Sequence, residues 1–288
     1  MFNSTIFDVV FGLVSVFLAI SLFTSALTEA VSTIVGLRAR TLFTGIKQLL
    51  NDPNLSGLAL NLYNHALFNP LSNGTTKEGT TPAVKPSYIE PRQFALALTD
   101  AIHQTADQAA TLDQAITKIA DPQIKASLQA MFQRANGEAD AFRDELAKWF
   151  DSAMNRVSGI YKRWTKLISF VLALLVAGLF NADPIHLADT LWQRPAVAAQ
   201  LAKLNPPATA DQDQALALLK QIEAAGPLLG WGGFTHDSRN QGTGFVLMLL
   251  GWLVAAGAAM FGAPFWFDVL QRFVQLRGTG RPPPTSTP

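Results

Sequence analysis

The sequence predicts an all-α membrane protein. It would have three transmembrane helices, a helical cytoplasmic stalk and insert between the first two, and a small helical periplasmic cap between the second and third. Three observations carry this. Of 288 residues, 49% are hydrophobic and only 15% are charged, where soluble domains hold about a quarter charged. The apolar residues gather in three blocks almost free of charge, as lipid requires. The remainder reads as helix, with no strand pattern and no internal repeat. Mean hydropathy is +0.21. A net charge of +1 gives no electrostatic footprint for a nucleic acid. The absence of cysteine excludes disulfides, thiolate metal sites and cysteine nucleophiles.

The first span lies in residues 1–37, apolar from Ile6 to Leu27. Nothing basic precedes it and no small-residue cleavage site ends it, so it reads as a span rather than a signal peptide. No proline occurs until Pro53. The first helix is therefore expected to leave the membrane near Thr33 and to project to about Leu50. The second span, residues 166–182, centres on the 14 residues Leu167 to Phe180. Tyr161 and Trp164 supply interfacial anchors, and Lys162, Arg163 and Lys166 can snorkel to the headgroups. The third, residues 244–267, has 24 uncharged residues.

Flanking charges set the orientation. Arg38, Arg40 and Lys47 follow the first span, Arg156, Lys162, Arg163 and Lys166 precede the second, and Arg272, Arg277 and Arg281 follow the third. With three spans these all fall on one side, which is then cytoplasmic. Residues 183–243, with six acids (Asp183, Asp189, Asp211, Asp213, Glu223, Asp237), fall outside. The expected location is a bacterial inner membrane, N-terminus periplasmic and C-terminus cytoplasmic.

Residues 38–165 form the cytoplasmic part. A short helix is expected over Leu55 to Phe68, an irregular loop over Asn69 to Pro91, and a helix from Pro91 to Ala120. Asp121-Pro122 has the residue types of a cap followed by a first-turn proline, and Asn136-Gly137 breaks the helix it starts. From Glu138, Phe142, Leu146, Trp149, Ala153, Val157, Ile160, Trp164 and Leu167 recur at steps of three and four. That is one apolar stripe running into the second span. The two projecting helices are expected to pack antiparallel as a stalk. Outside, helices are expected from Pro184, from Pro195 and from Asp211 to Ala225, then a Gly-rich aromatic stretch. Residues 268–288 read as an amphipathic end and a disordered RPPPTSTP tail.

Two segments, Asn155 to Arg163 (NRVSGIYKR) and Gly262 to Asp268 (GAPFWFD), resemble an uncharacterised family of bacterial integral membrane proteins that pairs such motifs. The resemblance covers roughly the C-terminal half. It implies membrane topology and no activity.

Four constellations stand out. In GAPFWFD, Pro264 should kink or end the third helix, with Phe265, Trp266 and Phe267 as interface anchors. Glu29, Arg156, Lys162, Arg163 and Asp268 form a juxtamembrane charge set in which an acid is expected to pair with a base. Gly251, Ala255, Ala258, Ala259 and Gly262 give small-xxx-small spacing, a face for close helix contact within the chain or between subunits. His65, His103, His186 and His236 are scattered without metal-ligand spacing. No catalytic motif and no cofactor-binding motif appears. The expected function is that of a non-enzymatic structural or accessory subunit of an inner-membrane complex. Its partners would be the lipid bilayer and either a foreign protein or further copies of itself, with no nucleic acid and no metal. An oligomeric ion- or proton-conducting assembly is the alternative. A membrane enzyme using the stretch Trp231 to His236 is a third reading.

Overall fold

The computed structural model describes residues 5–71, 74, 76–105, 111–201, 212–225, 228, 229, 231 and 242–278. Among the described residues, all regular structure is helical. The expected tail RPPPTSTP, Asp211, residues 232–236 of the stretch that starts at Trp231, and residues 106–110 lie outside them. The helices are α1 (Thr5–Val35), α2 (Leu37–Leu49), α3 (Leu58–Asn64), α4 (Pro91–Gln104), α5 (Leu112–Thr117) and α6 (Pro122–Arg134). They continue with α7 (Ala139–Leu179), α8 (Pro184–Gln193), α9 (Pro195–Leu201), α10 (Gln212–Ala225), α11 (Gly242–Ala259) and α12 (Ala263–Gly278). The chain divides into two compact units, Met1–Val31 with Trp164–Pro288, and Ser32–Arg163.

In the first unit, α1 is long and apolar enough to cross a membrane. Two further spans exist if each bent pair counts as one: α7 with α8, bent by 42°, and α11 with α12, bent by 88°. The helix α1 is apolar on every side, and such a helix needs cover on every side. It gets it: nine consecutive residues, Val14 to Leu22, are buried. The outer surface falls instead to α7 and α11. Leu167, Val171, Leu175 and Leu179 recur every four residues along α7 and all are exposed, as are Phe245, Val246, Leu249, Leu250, Leu253 and Val254 on α11. An apolar surface of this extent suits lipid.

The expectation of a first helix unbroken to Leu50 is corrected. The helix stops at Val35, and Gly36 adopts φ 62°, a left-handed conformation open to a residue without Cβ. The third span as one helix from Gly244 to Phe267 is corrected too. The break falls at Met260–Gly262, where Gly262 has φ 83°, and Pro264 sits in the first turn of α12. There its missing N–H costs nothing. Proline therefore starts the next helix rather than kinking the last.

The second unit has a core of its own. Phe43, Tyr63, Phe68, Phe94 and Phe150 touch in succession, ending in a Phe94–Phe150 stack at 4.1 Å between ring centroids. From α7, Phe142, Leu146, Phe150 and Ala153 are buried, with Trp149 packed beside them. The predicted stripe thus holds for its first half, whereas Ile160, Trp164 and Leu167 turn outward. The helix expected over Leu55 to Phe68 shrinks to α3, because Leu55 takes φ 52°. The helix expected over Pro91 to Ala120 is divided into α4 and α5. Asp121 caps α6 as its residue type predicts, accepting from Ile124 N at 2.8 Å, and Asn136 and Gly137 end that helix with positive φ. Contact between α2 and α7 is close: a Cβ on Gly45 would meet Val157 Cγ2 at 2.5 Å.

Candidate functional site

Two places gather functional groups, one in each unit. The first is the break between α7 and α8. Asn181 adopts φ 47°, and Ala182 N reaches back to the Ala177 carbonyl at 2.8 Å. This six-to-one bond around a left-handed residue is the Schellman ending of a helix. Asp183 then caps α8, its Oδ1 accepting from Ile185 N at 2.9 Å and His186 N at 3.5 Å, with Pro184 in the first turn. Asn181 Oδ1 accepts from Trp252 Nε1 at 3.2 Å, and the Trp252 ring meets Trp231 edge-on.

The break is deep in the unit. Asn181 and Asp183 are each 1% exposed. A Cβ on Gly251 would lie 2.5 Å from Asp183 Oδ1. Register fixes the height. Ser21 Oγ donates to the Ala259 carbonyl at 2.9 Å, and Phe17, one turn earlier, clusters with Ala255 and Ala177. So α1 and α11 run side by side in the same direction, which puts Gly251 level with Leu13 and within the apolar length of α1. The sequence reading counted Asp183 among the outer acids, yet its carboxyl is buried against the midpoint of α11. The signal was present as Asp-Pro inside a stretch whose apolar residues resume at once. Leu187 and Leu191 are fully buried, and Leu191 lies 3.0 Å from a Cβ placed on Gly12 of α1.

The expected small-residue face is occupied within the chain. Gly251 receives Asp183, Ala255 meets Phe17 and Ala177, and the Ala259 carbonyl receives Ser21. Ala258 takes the indole of Trp266, whose Nε1 donates to its carbonyl at 2.7 Å while the ring packs on Phe17 at 5.0 Å. Gly262 forms the turn. Phe265 stacks on Phe261 and Phe267 is half-buried. Trp266 thus faces the bundle, where the sequence reading put it at an interface. The charge set is not gathered in one unit: Glu29 and Asp268 belong to the first and Arg156, Lys162 and Arg163 to the second, and all five are exposed. Among the described residues, no group of three or more His, Asp or Glu side chains converges to hold a metal.

The second place is a groove of about 220 Å³ in the second unit, between α2, residues 87–89 and α7. Its lining includes Arg38, Tyr88, Asp151, Asn155, Ser158 and Tyr161, over a wall of Leu42, Phe150, Met154 and Val157. Asn155, Val157, Ser158 and Tyr161 all come from the NRVSGIYKR segment, singled out from the sequence for its resemblance alone. A larger hollow of about 410 Å³, near Asp52 and Asp121, is structural. There Asp52 accepts from Ser56 N, Gly57 N and Ala59 N, and Asn51 Nδ2 donates to Asp121 Oδ2 at 2.6 Å. Compared with known protein families, with curated proteins and with solved structures, the chain matches none.

Proposed function

We propose that the chain is a non-enzymatic structural or accessory subunit of a bacterial inner-membrane complex. In this reading it is multi-pass, with the N-terminus periplasmic and the C-terminus cytoplasmic, and the unit Ser32–Arg163 meets a foreign protein or another copy. The observation that carries the reading is a division of labour. One unit turns two apolar faces outward, along α7 and α11, while the other encloses a complete aromatic core. The first arrangement suits lipid and the second an aqueous phase. Basic flanks and the common direction of α1 and α11 agree with three crossings, since first and third spans must run alike. The test is the mass of the gently solubilised native complex with every co-purifying chain identified. A foreign subunit in fixed ratio, or a defined homo-oligomer, supports the reading; a stable monomer without partners sinks it.

One observation favours the alternative of an ion- or proton-conducting assembly: Asp183 buried level with the middle of α11. An ionisable group at that depth is costly and tends to serve a path. Asp183→Asn keeps a good capping residue and removes the charge. Proton flux in proteoliposomes that this change abolishes would establish the path; wild-type protein without flux would leave Asp183 as a helix cap.

A further inference from the structure

The groove in the second unit differs from the break in the first in one respect: its polar groups face open volume. Among the described residues, the Arg38 guanidinium and the hydroxyls of Tyr88, Ser158 and Tyr161 make no hydrogen bond or ion pair. The acid of the lining, Asp151, accepts from Asn155 Nδ2 at 3.4 Å. The groove thus offers one cation, Arg38, one carboxylate, Asp151, and hydroxyl donors beside an apolar wall. Arg156 and Lys162, both exposed, add positive charge on the same stretch of α7. Such a site selects a ligand with an anionic, many-acceptor end and a carbon body. A guanidinium fork matches phosphate oxygens two at a time.

We propose that this groove binds an amphipathic phosphate ester, with the phosphate on Arg38 and Tyr161 and the carbon body against Leu42, Met154 and Val157. The choice of an anionic glycerophospholipid over a soluble phosphate ester rests on the membrane residence proposed above. Helix geometry adds to it. Within α7, Tyr161 precedes Trp164, where the first unit resumes, by three residues. That step is about 4.5 Å of rise along a continuous helix.

Full-length protein in an uncharged detergent is titrated calorimetrically with dihexanoyl-phosphatidylglycerol, dihexanoyl-phosphatidylcholine and glycerol 1-phosphate. The expected order is phosphatidylglycerol tightest, with glycerol phosphate at least about tenfold weaker, and Arg38→Gln weakening phosphatidylglycerol by about tenfold or more. Arg38→Lys, which keeps the charge and loses the fork, falls between. Arg38 is exposed, so an unchanged helical melt shows that the variant folds. Equal binding of glycerol phosphate assigns the groove to a soluble phosphate ester. Absence of binding by both phosphatidylglycerol and glycerol 1-phosphate, or binding indifferent to Arg38→Gln, overturns the proposal. Carbonate extraction of native membranes separates the two readings. Protein released by carbonate that still binds through Arg38 defeats membrane residence alone; protein retained in the pellet without phosphate binding defeats the groove alone.

Discussion

At the scale of single residues, burial and pairing make opposite demands, and Tyr63 shows what happens when one is unmet. Its side chain is fully buried among aromatic rings and its hydroxyl has no partner among the described residues. Burial pushes the phenol well above its ordinary range. Tyr63→Phe removes the stranded hydroxyl and keeps the ring, so the variant should be as stable as wild type or more stable by up to about 1 kcal/mol in thermal unfolding. Asp52 is the opposite case, a nearly buried carboxylate accepting three backbone N–H bonds. Asp52→Ala strands those donors and should cost about 2–3 kcal/mol in the same measurement. Glu145 lies at the surface between Lys148 and Arg134, each 3.3 Å away. The hydrogen bond from Lys148 and then that from Arg134 hold its carboxyl below the ordinary range. A lowered carboxyl stabilises the fold above its unfolded value and loses that contribution as pH falls through the folded one. The melting-temperature gap between wild type and Glu145→Gln should therefore be small at neutral pH and close on acidification below the carboxylate range.

At the scale of elements, three breaks turn long apolar stretches into shorter helices. Gly36 is the cleanest to test, since a Cβ there meets nothing within 4 Å and only its φ of 62° resists substitution. Gly36→Ala should cost about 1 kcal/mol, against several tenths for Gly36→Asn, in thermal melts of the purified protein. Gly251 is governed by crowding instead, with Asp183 in the space of its missing side chain. Gly251→Ala should cost about 1–3 kcal/mol. Starts of helices were legible in the sequence. Asp121-Pro122, Asp183-Pro184 and Arg194-Pro195 each announce one, because cap and first-turn preferences are local. Stops were less so. Gly36 and Gly262 read equally well as mid-span small residues, and only tertiary packing decides that they turn. The point at which the α7 stripe turns outward was not legible for a similar reason. Apolar spacing tells that Ile160, Trp164 and Leu167 share a face, not what that face meets. The burial of Asp183 was missed because charge was taken as a sign of exposure, whereas a cap satisfies a carboxylate in the interior.

At the scale of the molecule, two units with separate cores should melt in two steps. Asp52→Ala should lower one transition and Gly251→Ala the other in a calorimetric scan of the detergent-solubilised chain. A single shared transition, shifted alike by both, would count against separate cores. Enclosure of α1 has a further bearing, on the order of events during synthesis. Its apolar length lets it enter a bilayer unaided, before its companions exist. On the proposed membrane residence, residues Val14 to Leu22, buried in the finished unit, would face lipid until the C-terminal half emerges from the ribosome. The α7–α8 segment, interrupted by Asn181 and Asp183, is poorly fitted to enter alone, and finds in Gly12 of α1 the seat for Leu191. The first helix made is thus a template held in waiting, and truncation after residue 163 would leave it permanently uncovered.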